Sequence, residues 1–202
     1  MRKTPKLIKS GTEAQILASA ATLFASNGYR GVSTRDIAAE AGVNEVTIYR
    51  HYPRKRELYV AVLDAALQQV KLRGDLLMRL AEASDARSVV SRSFDLVHST
   101  LSNSPELMRL LQYSTLELGE DIDPLLRRHL GELIEVVARY LEPWVTRGEL
   151  RCTSAKALIL AQVSIVVSHG SLYRLFLRDG SSPEAIFSAL ADSCDIVVEQ
   201  AG

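Results

Sequence analysis

Cysteine is nearly absent from this chain: Cys152 and Cys194 are the only two in 202 residues. Two thiols that far apart supply neither a disulfide framework nor the paired spacing of a zinc module, and both read as ordinary thiols in helices. Neither tail carries the apolar run of a signal peptide or membrane span, so a cytosolic protein without membrane contact is expected. Sustained two-residue alternation and Asn-Gly hairpin signals are missing, which leaves an all-α chain. Internal repeats and low-complexity tracts are missing as well. So are a nucleophile elbow, a Gly-rich phosphate loop, a His-Glu-x-x-His and a repeated Glu-x-x-His. His51, His98, His129 and His169 fall on four separate predicted helices. No catalytic residue, cofactor or metal site is therefore expected. Asp95 and His98 share a metal-ligand spacing on one helix face, but one such pair without partners reads as a hydrogen-bonded or exposed histidine.

Net charge is also lacking, with 24 Lys and Arg against 24 Asp and Glu. That balance argues against a nucleic-acid partner only until the chain is divided. Residues 1–60 hold ten basic against five acidic side chains, and the remainder holds fourteen against nineteen. The excess positive charge sits in the first third. Arg2, Lys3, Lys6 and Lys9 precede the first predicted helix, where an arm of residues 1–10 either follows the DNA backbone or minor groove or serves as a solubilising tail.

What the chain does contain is concentrated in Ser33–Leu58, STRDIAAEAGVNEVTIYRHYPRKREL. Ser33 followed three positions later by Asp36 is a capping box, which starts a helix at Thr34 with Ile37, Ala38 and Ala41 on its apolar side. Gly42 permits the left-handed exit that ends this helix, Val43 plugs the corner, and Asn44 caps a second short helix whose Ile48 faces inward. Ala38 is small where two helices cross closely. Glu45, Val46, Thr47, Tyr49, Arg50 and His51 remain as an outward face one groove wide, the geometry of a helix-turn-helix reader. Upstream, Thr12 and Gln15 form a second capping box, and Ile16, Ala20, Leu23 and Phe24 make the stripe of a helix ending near Asn27-Gly28. Downstream, one long helix is expected from Arg54 or Lys55 toward Ala83, followed by helices at 86–102, 105–119, 123–147, 153–178 and 183–200.

These residues resemble the DNA-binding domain of the tetracycline-repressor (TetR) family. The resemblance rests on Leu23-Phe24, Gly28-Tyr29-Arg30-Gly31, Ser33, Arg35-Asp36-Ile37-Ala38, Ala41-Gly42-Val43, Thr47-Ile48-Tyr49 and Tyr52-Pro53-Arg54-Lys55. It covers about fifty N-terminal residues and is specific because several constrained positions coincide. It implies an all-α protein: a three-helix helix-turn-helix domain over 1–53, followed by a helical bundle for ligand binding and dimerisation over 54–202. Thr34 and Arg35 take a phosphate-facing role; Asn44, Glu45, Thr47 and His51 lie in or beside the major groove, with Arg50 on the same DNA-binding face. Tyr49 and Lys55 anchor phosphates, Tyr49 by its hydroxyl. Glu45 departs from the usual neutral or basic interface. Its carboxylate either accepts from a cytosine amino group or points to solvent.

The same resemblance implies a homodimer on a near-palindromic double-stranded operator, with two recognition helices about 34 Å apart. Ser154, Ala157, Ala161, Ser164, Ser168 and Ser171 form a small-residue stripe, and Ile186, Leu190, Cys194 and Val197 or Val198 an apolar one; the final two helices would pair with their copies. A small-molecule effector pocket follows, with Phe94, His98, Met108, Gln112, Tyr113, Tyr140, Trp144, Gln162 and His169 as candidate linings, each of which taken alone reads better as ordinary packing. The function expected is a repressor released from DNA when an unidentified apolar or amphipathic effector shifts the dimer between two spacings. Two other readings stand beside it: a DNA-binding regulator without an effector, and a helical ligand-binding bundle whose helix-turn-helix no longer engages DNA.

Overall fold

The computed structural model describes residues 11–70, 72–148 and 154–168. The basic arm, Cys152, Cys194, His169, Ser171, Ile186, Leu190, Val197, Val198 and the helix expected at 183–200 lie outside the described residues. Among the described residues the secondary structure is helical and contains no strand. The helices are α1 (Thr12–Asn27), α2 (Thr34–Glu40), α3 (Glu45–His51), α4 (Lys55–Gln69), α5 (Leu72–Ala81), α6 (Ala86–Ser102), α7 (Pro105–Glu117), α8 (Asp123–Leu126), α9 (Glu132–Thr146) and α10 (Ala155–Ser168).

Three expectations are corrected. The capping box at Thr12 and Gln15 does not form: Thr12 is already helical, and the Gln15 N–H donates to the carbonyl of Gly11, the residue that starts α1. The long helix expected from residue 54 to 83 is two elements, α4 and α5. The helix expected at 123–147 begins in a 3₁₀ turn at Gly119–Ile122 and contains a π turn at Arg127–Gly131 between α8 and α9.

The chain divides into two compact units. The first comprises the residues through Gln69 together with Arg109–Leu125, so it extends well past residue 53. Its core is formed by Ile16, Ala20, Phe24, Ile37, Ile48, Leu58, Tyr59, Leu63, Leu110 and Ile122, all fully buried. Complete burial of an aliphatic or phenyl side chain contributes about 1.5–3 kcal/mol. The Phe24 and Tyr59 rings lie 4.8 Å apart, and Tyr29 meets Tyr59 edge-on at 5.6 Å. Burying Tyr59 also obliges its hydroxyl to find a partner, and it donates to the Leu110 carbonyl at 2.7 Å.

The second unit comprises Val70–Met108 and the described residues from Leu126 onward. Its core gathers Leu76 and Leu80 of α5, Val89, Val90 and Leu96 of α6, Val136, Val137 and Leu141 of α9, and Ala155 and Ile159 of α10. Asp85 starts α6 with a second reciprocal capping box: its carboxylate accepts from the Ser88 N–H, and the Ser88 hydroxyl accepts from the Asp85 N–H.

Candidate nucleic-acid interface

The two central helices of the motif stand as their caps dictate. The Ser33 hydroxyl accepts from the Asp36 N–H at 3.1 Å, while Asp36 accepts from both the hydroxyl and the N–H of Ser33. Those bonds from the Ser33 hydroxyl and backbone hold the Asp36 carboxyl below the ordinary aspartate value. Gly42 takes φ +66°, the left-handed exit expected after α2. Asn44 caps α3 by accepting from the Val46 N–H at 2.9 Å. Within α3 only Ile48 is buried, which turns the rest of this short helix outward.

Arg35, Asn44, Val46, Tyr49, Arg50, His51 and Arg54 are exposed, and Glu45 and Thr47 are half-buried. Val46, 58 % exposed, stands on the outward face where the sequence places it, although no contact was assigned to it there. The signal was present: an apolar residue two positions before the inward Ile48 must point away from the core, where it can meet a thymine methyl.

Three of the residues expected at phosphates have protein partners in the structure. Thr34 is only 8 % exposed, and its hydroxyl lies 2.6 Å from a Glu45 carboxylate oxygen and 3.0 Å from the Tyr49 hydroxyl. Thr34 thus braces α2 against α3, one Glu45 carboxylate oxygen is engaged by Thr34, and the Tyr49 hydroxyl has a protein partner. Lys55 is folded inward: its ammonium donates to the carbonyls of Tyr29 and Val32, each at 2.8 Å, and lies 4.2 Å from the Tyr29 ring centroid. Burial lowers the Lys55 pKa and the nearby Glu117 charge partly offsets this. Lys55 therefore secures the α1–α2 loop.

Residues 109–125 of the first unit add one bond to this loop, through Glu117, and one to α4, through Asp121. Glu117 accepts from the Arg30 N–H at 2.7 Å, and Arg56 pairs with Asp121 at 2.7 Å. Sequence reasoning missed Glu117 and Asp121, since their partners lie 87 and 65 positions away and no local pattern marks them.

The candidate effector residues are divided between the two units. Gln112 and Tyr113 belong to the first unit; Phe94, His98, Met108, Tyr140, Trp144 and Gln162 belong to the second. Gln162 is completely buried and has protein partners: its carbonyl accepts from Ser93 at 3.0 Å and its amide donates to the Val90 carbonyl at 2.8 Å. It ties α6 to α10 and is not free to bind an effector. Phe94 is buried with the His98 ring stacked at 6.1 Å, and Tyr140 and Trp144 pack against the core of the second unit. Gln112 Nε2 is buried without a hydrogen-bond partner. On α10, Ala155, Ile159, Gln162 and Val166 face the core, whereas Ala157, Leu160, Ala161 and Ser164 are exposed, Leu160 by 55 %.

Among the described residues, no helix is long and apolar enough to cross a membrane, and no cluster of three or more potential metal ligands occurs. Residues 16–62 match the model of bacterial regulatory proteins of the tetR family. The chain is 27 % identical over 175 residues to a nucleoid occlusion factor, SlmA, of Shewanella woodyi, covering 85 % of each protein. It is 22 % identical over 156 residues to the fatty acid metabolism regulator protein of Bacillus subtilis, covering 76 % of this chain and 80 % of that one. Its fold matches a regulatory protein of the tetR family from Rhodococcus RHA1 with a TM-score of 0.70 at 22 % identity, over 92 % of this chain and 96 % of that one. The outward α3 surface and the family match over the surrounding helices coincide: this chain is a DNA-binding transcriptional regulator of the tetR family.

Proposed function

We propose that the protein is a cytoplasmic, homodimeric repressor that places α3 of each subunit in successive major grooves of a near-palindromic operator. The observation that carries this reading is the outward surface of α3 and its flanks, where Arg35, Asn44, Val46, Tyr49, Arg50, His51 and Arg54 are exposed around the single buried Ile48. Thr47 and Val46 are assigned to base edges, and Arg35, Arg50 and Arg54 to the backbone charge. A second copy gives the short reader helix enough base pairs for a specific site. The exposed Ala157, Leu160, Ala161 and Ser164 face of α10 supports a helix-on-helix dimer contact.

Release by an apolar or amphipathic small molecule is part of the proposal, supported by the similarity to regulators named for fatty acid metabolism. The relatives named as nucleoid occlusion factors carry no small molecule in that name, and a regulator without such an effector is kept as the second reading. Selection of bound fragments from genomic duplex DNA, with a salt titration, tests the common core of both. Recovery of a near-palindromic site whose affinity falls steeply with salt is expected; no enrichment at low salt would reject it. Adding fatty acids to the recovered complex then separates the two, since only the effector reading predicts release. Ala161→Trp should halve the molecular mass in solution, and an unchanged mass would remove α10 from the interface.

A further inference from the structure

The outward side of α5 is apolar from Gly74 to Ala81. Leu76 and Leu80 turn into the core of the second unit, whereas Gly74, Leu77, Met78 and Ala81 all lie at the surface. Positions 74, 78 and 81 recur at steps of four and three with 77 beside them, so these residues form one continuous strip. Met78 is 66 % exposed and Leu77 39 %. An isolated exposed apolar side chain is ordinary, but two at the centre of a strip mark a contact. Gly74 has open space where a Cβ would stand, and Ala81 is nearly as small, so another helix can lie close along this side.

The charges beside the strip select its partner. Asp75 and Arg79 are exposed, one turn apart on one flank, with Leu77 midway between them in sequence. A second α5 laid antiparallel across a twofold axis at Leu77 sets Asp75 of each copy opposite Arg79 of the other, so both ion pairs form together. Met78 then enters the space beside Gly74 of the other copy. A parallel copy would instead lay the charged flank on the apolar Leu77 flank. Glu82, the next acidic side chain, is taken by Arg92 at 2.8 Å and leaves this balance undisturbed. We infer that the outward side of α5 is a contact for α5 of a second copy of this chain, packed antiparallel about Leu77 and separate from the α10 face. One helix on one helix covers less than the roughly 800 Å² per partner of a stable interface. The contact is therefore weak in solution, with a dissociation constant on the order of 100 µM, and gains weight where two molecules are held side by side.

Sedimentation equilibrium of the full chain tests this. Between about 1 and 500 µM the weight-average mass should rise at least about 1.5-fold above its dilute value. Met78→Glu should abolish the rise, and so should Asp75→Arg or Arg79→Asp, each of which sets like charges against each other across the twofold axis. Combining Asp75→Arg with Arg79→Asp should restore it, because the same two pairs form with their signs exchanged. All of these positions are exposed, so thermal midpoints should stay nearly unchanged. In Ala161→Trp, which is directed at the α10 face, the rise should persist, so the two contacts fail separately. A mass that stays constant over the whole range in the unsubstituted protein overturns the inference, as does a rise that survives Met78→Glu. Failure of the double charge exchange to recover what the single changes lose overturns the antiparallel pairing.

Discussion

Glu117 holds the backbone N–H of Arg30 at 2.7 Å, and its other carboxylate oxygen lies 2.9 Å from where a Cβ on Gly28 would stand. The α1 exit is thus confined from outside as well as by its own backbone. Gly28 takes φ +75° with the Tyr113 ring 3.1 Å from the same Cβ position, whereas Gly42 takes φ +66° with open space around it. Both positions disfavour an L side chain by about 1–2 kcal/mol on backbone grounds alone. Gly42→Ala should cost about that much in urea unfolding. Gly28→Ala should cost at least about 1 kcal/mol more, since the added methyl must displace Glu117 or the Tyr113 ring. Equal losses at the two positions would show that the loop yields freely.

Lys55 and Arg54 are adjacent basic residues with separate duties. The Lys55 ammonium is spent on the carbonyls of Tyr29 and Val32, while Arg54 is exposed. Lys55→Met should therefore destabilise the protein by about 1–2 kcal/mol, the worth of its partly solvated bonds to those carbonyls. It should leave the salt dependence of DNA binding almost unchanged. Arg54→Ala should leave stability within about 0.5 kcal/mol and reduce the salt slope by about one per half-site. Urea unfolding and binding isotherms at several salt concentrations separate the pair; the reverse pattern would return Lys55 to the phosphate backbone.

The motif was legible because its signals are local. Ser33 and Asp36 three residues apart, Gly42 at the turn and Asn44 before α3 each satisfy backbone groups within their own helix ends, so residue types and spacing were sufficient. The bonds among Thr34, Glu45 and Tyr49 were not legible because a pattern shows which helix a side chain belongs to and not which neighbour on the next helix it meets. The inward turn of Lys55 depends on two carbonyls more than twenty residues earlier. The π turn at Arg127–Gly131 likewise left no break in the apolar periodicity from which it could be read. Small residues on α10 did announce an exposed face, while the burial of Gln162 on the opposite face did not follow from its polarity.

Gln162 spans α6 and α10 inside the second unit, with Ser93 as a second, equally buried participant. Gln162→Leu removes the amide donor to Val90, but the Ser93 hydroxyl lies 2.8 Å from the same carbonyl and can take over. A loss of about 1–2 kcal/mol is expected in urea unfolding. Gln162→Glu should be worse at neutral pH, by at least about 3 kcal/mol, because it places a carboxylate beside a carbonyl in the core. Lowering the pH should recover part of that loss, since the protonated acid again donates to Val90. A Gln162→Glu protein as stable as Gln162→Leu at neutral pH would show that water reaches this site.

Asp36 and Asp85 make stability depend on acid in a stated direction. Both carboxyls are held below the ordinary aspartate value, Asp36 first by the Ser33 hydroxyl and Asp85 first by the Ser88 backbone N–H. A group whose folded pKa is depressed binds its proton more readily in the unfolded chain, so its contribution is present above the unfolded value of about 3.9 and fades as pH falls through the lower folded value. Thermal midpoints should accordingly drop below about pH 4. Asp36→Asn and Asp85→Asn should flatten that acid limb while retaining a cap oxygen for the N–H at the helix start. Because both carboxyls are solvent-exposed, the effect is a change of slope and not a collapse of the fold, and salt should weaken it. An acid limb of unchanged steepness in the double variant would assign it to other carboxylates.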